Sequence, residues 1–506
     1  MTCETPSARP SCACVHSSRA SRRQVRPRSS FRRFPFSSVG IILTAYQIPE
    51  AVYRYIGGAR LLAEAGLPAR GMHDIPIPRQ TLEALLAQTG FDSGRLAIRE
   101  VNRLASLLEA ETGIKFVRME FGIPNIPPPP QAAEAEREAL EAGTHGAYPP
   151  FDGIPRLKRA GVRFLKAFLD LSVGEECVVA TCGSMQGGFV AQALAARMHP
   201  GRETILFLDP TFPVSQLQAR FLGLPRDGLE LGDLRGDVLL AALEARLERG
   251  DIGGVFWSSP NNPSWACLTE AELEGIARLC DAHDALAIED QAYLGMDFRA
   301  DYSQPGEPPF VPTVGRYGQN WVLLLSSSKA FSYPGQRCAL AVVSPGLRKR
   351  EFPALEASCG TAQFGHAFAH GGLYVTTSGA SHTAQHGLAA MLEAASDGEL
   401  DFVARTREYG ERARRVRKMF LSAGFELVYG DDNGAPIGDG FYLTLDHPGL
   451  ESGELLLELL RYGISTITLK SAGSSRDGLR VCVSFVSEKE YPVLEGRLAQ
   501  FSEART

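Results

Sequence analysis

Lys329 stands directly after the apolar run WVLLLSSS (321–328), with Pro334-Gly335-Gln336-Arg337 just beyond it. An ammonium at the end of a buried strand costs several kcal/mol unless it is neutralised or paired. Desolvation favours the neutral amine, a nucleophile able to form a Schiff base with an aldehyde cofactor. The hydroxyls of Ser326–Ser328 and the guanidinium of Arg337 suit a phosphate. Read alone, the same residues also describe a surface lysine at a strand end. Gly183-Ser184-Met185-Gln186-Gly187 follows the run CVVATC (177–182) and opens a helical stretch. Free N–H groups and the positive dipole end make such a turn an anion site, although it lacks the Lys-Ser/Thr of a nucleotide P-loop. Asp290-x-Ala292-Tyr293 closes ALAIED (285–290); an acid there needs a cation or caps a helix. Glu289 alternates to the other side and reads as structural. Ser259-Pro260-Asn261-Asn262-Pro263-Ser264-Trp265 is either an ordinary Asn-Pro turn or a source of amide hydrogen bonds. Arg480 lies inside LRVCVSF and offers a planar fork for a carboxylate, or a surface salt bridge.

The elements that must position these residues are legible from about residue 151. Strand-length apolar runs (CVVATC, TILFLDP, GGVFWSSP, ALAIED, WVLLLSSS, ALAVVSP) alternate with helical stretches. Runs without in/out alternation suit strands buried on both faces. Strand–helix repetition predicts an α/β fold with a mainly parallel sheet flanked by helices, whose ligands bind beyond the carboxyl ends of the strands. Residues 46–115 read as helical, from the spacing of Leu82, Leu85 and Leu86 and of Val101, Leu104, Leu107 and Leu108. PNIPPPP (124–130) is extended. A charged helix is expected over 396–423. FYLTLDH and LRVCVSF then alternate around a helix from Glu454 to Arg461, predicting a smaller α+β C-terminal domain.

In this order the motifs resemble those of the fold-type-I pyridoxal-phosphate enzymes, the class I/II aminotransferase family, over roughly residues 95–500. The resemblance implies a seven-stranded sheet and pyridoxal 5'-phosphate as cofactor, linked covalently to Lys329. Ser326, Arg337, Ser184 and Met185 would hold its phosphate. Asp290 would meet the pyridinium nitrogen and keep the ring electron-withdrawing. Ala292 leaves room under the ring, Tyr293 donates to the ring 3-oxygen, and Phe212 stacks on the ring. Asn262 would bond that oxygen and the substrate carboxylate, and Arg480 the α-carboxylate. Gly122 belongs to a turn that closes over the substrate. Tyr148 matches a tyrosine that reaches a neighbouring subunit's phosphate, so a homodimer with shared sites is implied. Two positions depart from the family pattern: Ala339 and Trp265 stand where glycine is usual. The implied activity moves an amino group from an amino acid to a 2-oxo acid, with Lys329, Asp290 and Tyr293 as catalytic residues. A β-elimination lyase, a decarboxylase or a cyclising synthase would use the same parts, and a catalytically idle ligand-binding protein is a different-class alternative. The implied division is an N-terminal helical arm with part of the small domain (46–147), a large cofactor domain (148–378) and a small C-terminal domain (379–506).

Substrate choice has one pointer. The stretch 351–382, where dicarboxylate-preferring members carry a second arginine from the partner, contains no Arg or Lys but offers Phe364, His366, Phe368, His370 and Tyr374. These suit an uncharged or aromatic side chain. Composition narrows the field further. At 44% hydrophobic residues the chain is not a disordered one, and no apolar run approaches the ~20 residues of a membrane helix. Residues 1–45 hold eight arginines against the single acid Glu4, so the remainder carries −13 of an overall −6. That acidic body argues against nucleic acid as a partner. The Arg/Ser-rich tail reads as disordered or as an over-extended start, with organelle import as an alternative. Cys12, Cys14 and His16 lack a second pair of ligands at zinc spacing, so no metal site is expected. The scattered remaining cysteines fit reduced thiols and the cytoplasm.

Overall fold

The computed structural model describes residues 75–92 and 96–505. The expectations for residues 1–45, and for the helical arm before Ile75, lie outside the described residues. Two helices follow, α1 (Arg79–Thr89) and α2 (Ile98–Thr112). In α2 the buried positions Val101, Leu104, Ala105 and Leu108 fall on one face, as the spacing predicts. Both helices end at a glycine in the left-handed region, Gly90 (φ 67°) and Gly113 (φ 72°), whose N–H groups close the last turns. The short strand β1 (Val117–Arg118) leads into the proline-rich crossing. Pro130 is the first residue of helix α3 (Pro130–Glu141), where its missing N–H costs nothing.

After α4 (Pro155–Leu169) come β2 (Val178–Thr181), α5 (Ser184–Met198), β3 (Thr204–Asp209), α6 (Pro213–Phe221), β4 (Arg226–Glu230), α7 (Gly236–Leu247), β5 (Ile252–Ser258), α8 (Glu270–Ala282), β6 (Leu286–Gln291), β7 (Trp321–Ser326), the single turn α9 (Ser327–Ala330) and β8 (Ala339–Val343). Strands β2 to β8 form one seven-stranded sheet in the order β2-β8-β7-β6-β5-β3-β4. Only β8 runs antiparallel to its neighbours, β2 and β7. Alternate residues enter two cores. Leu206, Leu208, Val255, Trp257 and Leu323 pack with Phe164 and Phe168 of α4. Ile205, Phe207, Phe256, Ile288 and Leu324 pack with Val190, Leu194 and Met198 of α5. The uninterrupted apolar runs follow from that double burial. Strand β4 (RDGLE) is absent from those runs because it is mostly half-buried, unlike β2 at the opposite edge, whose four residues are all buried.

Residues from Ala413 onward contribute to a separate core. Helix α10 (His382–Ser396) still packs on the large sheet. Helix α11 (Phe402–Ser422) begins later than the charge pattern predicts, because the Asp401 carboxylate accepts from Ala404 N–H at 2.7 Å and caps it. Strands β9 (Glu426–Leu427) and β10 (Tyr442–Asp446), helix α12 (Ser452–Arg461), strands β11 (Ile464–Ser465), β12 (Ile467–Thr468) and β13 (Leu479–Cys482) and helix α13 (Tyr491–Glu503) complete the chain. β12-β13-β10-β9 is a small antiparallel sheet, while β11 pairs in parallel with β1. Leu82, Val101 and Leu104 share this core with Leu455, Leu459, Val481 and Leu494. Residues 77–119 and 413–501 are thus packed on one another although they lie at opposite ends of the chain.

Candidate active site

In a parallel sheet every carboxyl end faces the same edge, so loops that follow different strands meet there. A cavity of about 270 Å³ lies at that edge, closed on the other side by Gly122, Tyr442 and Arg480. Its lining includes Ser184, Met185, Phe212, Asn262, Asp290, Tyr293, Ser326, Lys329 and Arg337. Tyr148 is elsewhere. It is 88% exposed and borders a separate surface hollow beside His145, Thr377 and His382. A further cavity of about 320 Å³ behind the Ser259–Leu268 turn is lined by Asp297, Arg299 and Asp432, but those charges pair with one another at 2.7–2.8 Å.

Lys329 is carried by α9, the turn that β7 enters. Its Nζ donates to the Gly122 carbonyl and lies 5.7 Å from the Phe441 ring centroid. Burial pushes the amine down to about 8, with Arg480 and Arg337 acting in the same sense and Cys482 and Asp290 opposing. Asp290, one residue before the end of β6, pairs with Ser258 and Leu324 across the sheet. Burial pushes its carboxyl up to about 7, Glu289 adds to the shift, and the Ala292 N–H and Lys329 oppose it. Its Oδ1 is buried with no hydrogen-bond partner among the described residues. Glu289 faces away, fully buried, and accepts from Thr313 Oγ1 at 2.7 Å, Val314 N–H at 3.0 Å and Gln291 Nε2 at 3.2 Å. The neighbouring carboxyls therefore differ. Glu289 is satisfied within the wall, and Asp290 presents an open acceptor.

One corner gathers donors. Gly183 has φ 75°, and a Cβ there would lie 2.3 Å from Arg337 Nη2, so the guanidinium rests directly on the glycine. The backbone N–H groups of Ser184 and Met185 belong to the first turn of the fifteen-residue α5 at the same place. Ser326 Oγ accepts from Ser328 N–H at 3.2 Å and caps α9. Met185 is 41% exposed and its carbonyl accepts from Gln218 Nε2 at 2.8 Å. Phe212 precedes α6, half-buried, as the cavity's aromatic side wall.

The opposite corner is a polar chain. Asn262 Nδ2 donates to the Tyr293 hydroxyl at 3.2 Å, and that hydroxyl lies 2.9 Å from Tyr442 OH. Arg480 Nη1 donates to Asn262 Oδ1 at 3.4 Å and Nη2 to the Glu120 carbonyl at 2.6 Å. Its Nε is without a partner among the described residues. Tyr442 and Arg480 are diagonal neighbours on one face of the β10–β13 pair, with Tyr442 opposite Cys482 and Thr444 opposite Arg480. The guanidinium sits 4.6 Å from the Tyr442 ring centroid. Gly122 is needed here, because a Cβ would meet the Tyr442 hydroxyl at 1.9 Å.

The sequence reading missed Tyr442. Its signal was the alternation in FYLTLDH, which marks the strand but not the contact. Trp265 is the other surprise. It holds φ 65°, the left-handed conformation that favours glycine, at a cost of roughly 1–2 kcal/mol. The buried indole packs 5.3 Å from Tyr293 and 6.2 Å from Tyr442, centroid to centroid. Phe364 and Phe368 do not form a pocket wall as expected. Both are fully buried in the core under the sheet, so neither can reach a substrate here or in another copy. His370 instead rests against Phe151 at 4.2 Å, and Tyr374 is half-exposed. Among the described residues no group of three or more His, Cys, Asp or Glu is placed to hold a metal, the seven described cysteines are free, and no helix is long and apolar enough to cross a membrane.

A sequence model of the family described as aminotransferase class I and II matches residues 115–498. LL-diaminopimelate aminotransferase 2 of Trichormus variabilis is 27% identical over 254 residues, 48% of this chain and 60% of the relative. Aspartate/prephenate aminotransferase of Thermus thermophilus is 28% identical over 239 residues, 45% of this chain and 56% of the relative. The chain thus spans less than two thirds of the length of either relative. A solved Thermus thermophilus aspartate aminotransferase double mutant superposes with a TM-score of 0.64 at 22% identity, covering 81% of this chain and 96% of that one. That likeness is one of fold.

Proposed function

The chain belongs to the aminotransferase class I and II family, and on that premise we propose that it moves an amino group from an amino acid to a 2-oxo acid, with pyridoxal 5'-phosphate held around Lys329. The observation that carries the reading is a pair in one cavity: a buried lysine amine driven toward neutrality, and a buried aspartate whose Oδ1 has no partner among the described residues. The residues fit the cofactor. Asp290 Oδ1 suits a pyridinium N–H, which would also hold the carboxyl ionised. The Gly183–Met185 turn, Ser326 and Arg337 suit a phosphate ester. Phe212 and Ala292 suit the two faces of a planar ring. When bound, the cofactor supplies a carbonyl carbon for the amine and a ring that withdraws electrons from the substrate's α-carbon.

The chain's own residues do the rest. Lys329 Nζ, its proton affinity lowered by burial, takes the α-proton and later returns it as general base and acid. Arg480 grips the α-carboxylate with two parallel N–H groups, and Asn262 steadies the same end of the substrate. Tyr293 directs its hydroxyl at the ring oxygen. Ile98, Phe121 and Ile123 border the substrate's side-chain region, and the cations lining the cavity among the described residues are Lys329, Arg337 and Arg480. The relatives' printed substrates include dicarboxylates, whereas this lining favours uncharged apolar or aromatic donors. Tyr148, exposed on one chain, would reach a phosphate from a second copy in a homodimer. The free thiols fit a cytoplasmic setting.

The test is reduction of the cofactor-loaded full chain with borohydride, followed by peptide mapping and a keto-acid assay over a panel of donors. The label should fall on Lys329 and disappear in Lys329→Ala. A label on another lysine, or an absence of keto acid with every donor, overturns the reading.

A further inference from the structure

Resting on that reading, we propose that Tyr442 is a positioning residue: it fixes the direction of the Tyr293 hydroxyl and so links the Arg480 fork to the ring-oxygen side of the cofactor. A phenol carries one proton and acceptor capacity for two hydrogen bonds. Tyr293 already accepts from Asn262 Nδ2 at 3.2 Å. Its second neighbour is the Tyr442 hydroxyl at 2.9 Å. If Tyr293 donated to Tyr442, its only proton would be committed inside the wall. When Tyr442 donates instead, both acceptor positions of Tyr293 are filled and its proton is left to point into the cavity. Arg480 selects that direction, because a guanidinium 4.6 Å from the Tyr442 ring centroid makes this phenol the better donor.

Tyr442 is also held in place. A Cβ on Gly122 would fall 1.9 Å from its hydroxyl, its ring meets Tyr293 edge-on at 5.6 Å, and Trp265 packs on both. Trp265 is accommodated by Gly440, where a Cβ would fall 1.8 Å from the indole. The charged and ionisable groups facing the two phenols are Arg480 and Cys482, with Lys329 and Asp290 across the cavity. Burial pushes Tyr442 up to about 12 and Tyr293 well above the usual phenol range, so both keep the protons that a donor chain requires.

The experiment titrates the visible absorbance of the cofactor-loaded full chain against pH in wild type, Tyr442→Phe, Tyr293→Phe and the double variant. A hydrogen bond donated to the ring oxygen favours its deprotonated form, and Tyr293 is a weaker donor once it no longer accepts from Tyr442, so losing that bond raises the midpoint. Tyr442→Phe should raise it by about half a pH unit, a ~threefold change in proton affinity, with a melting temperature lowered by no more than a few degrees, because the ring is kept and one hydrogen bond is lost. The double variant should match Tyr293→Phe alone. An unshifted midpoint in Tyr442→Phe overturns the proposal, and so does a shift of the same size in the Tyr293→Phe background. If wild type acquires no visible band, the functional reading falls and takes this proposal with it. A band in wild type with a silent Tyr442→Phe removes this proposal only.

Discussion

The two walls of the cavity are assembled differently. On the sheet side, Ser184, Phe212, Asn262 and Lys329 each follow a strand by no more than four residues, and Asp290 lies within one. On the other side, Gly122, Tyr442 and Arg480 come from distant segments, joined by the hydrogen bond between Arg480 and Glu120, 360 residues apart, and by the shared core of α1, α2, α12 and α13. The sheet wall carries Lys329 and Asp290, whose proton affinities burial moves toward neutral pH. The lobe wall carries a hydrogen-bonded fork that sets orientation. Chemistry and positioning are thus divided between a rigid sheet edge and a surface whose place depends on how the small core packs.

That division can be broken one wall at a time. On the sheet side, Lys329→Ala removes the base and should lower amino transfer by at least ~10²–10⁴-fold, while noncovalent cofactor uptake, followed by fluorescence quenching, persists. Asp290→Asn removes a charged hydrogen bond of ~1.5–3 kcal/mol, which corresponds to ten- to hundredfold in turnover. Retained activity in either variant would place the chemistry elsewhere. On the lobe side, Arg480→Lys should lower kcat/KM for every donor by about tenfold, since Lys cannot form two parallel bonds, while a visible cofactor band still forms. Loss of that band would mean that the lobe wall also holds the cofactor.

The smallest effects are in stability. Burial raises Asp290 and Glu289 to about 7, above the usual ~4 of an unfolded carboxyl. Their contribution is full below ~4 and is lost as pH rises through about 7. Lys329 is shifted the other way, from 10.5 to about 8, so its contribution is full above 10.5 and is lost as pH falls through 8. Cofactor-free Asp290→Asn should therefore lose part of the decline in melting temperature between pH 4 and 7, by on the order of 2 °C, as scanning calorimetry would read. Tyr148→Phe should leave the melting temperature unchanged. It should weaken cofactor retention by about tenfold if a second copy supplies this hydroxyl, a difference that equilibrium dialysis resolves.

The strands with two buried faces were legible because their sequences carry no polar alternation. β4 was not, because its residues are mostly polar and half-buried, whereas the opposite edge strand β2 is buried on both faces and carries an apolar run. Within the site, Lys329 and Asp290 stood out from their places at strand ends and Arg337 from its spacing to Lys329, whereas Asn262 was singled out by the family resemblance. Phe364 and Phe368 were misassigned, because an aromatic in an irregular helix gives the same signal whether it lines a pocket or fills a core. Trp265 registered as a departure from a glycine position, but neither its left-handed backbone nor its seat on Gly440 could be read from neighbours in sequence.

By itself, the sequence determined the sheet wall. Parallel strands place all their carboxyl ends on one edge, so residues just after different strands must meet, whatever the loops between them do. Only the tertiary structure decided the lobe wall. The register of β10 on β13 sets Tyr442 diagonal to Arg480, and the packing of the first helices on the last brings Glu120 and Gly122 against them. A shift of one residue in that pairing would turn the side chains of one strand to the other face, and no local pattern in the chain fixes it.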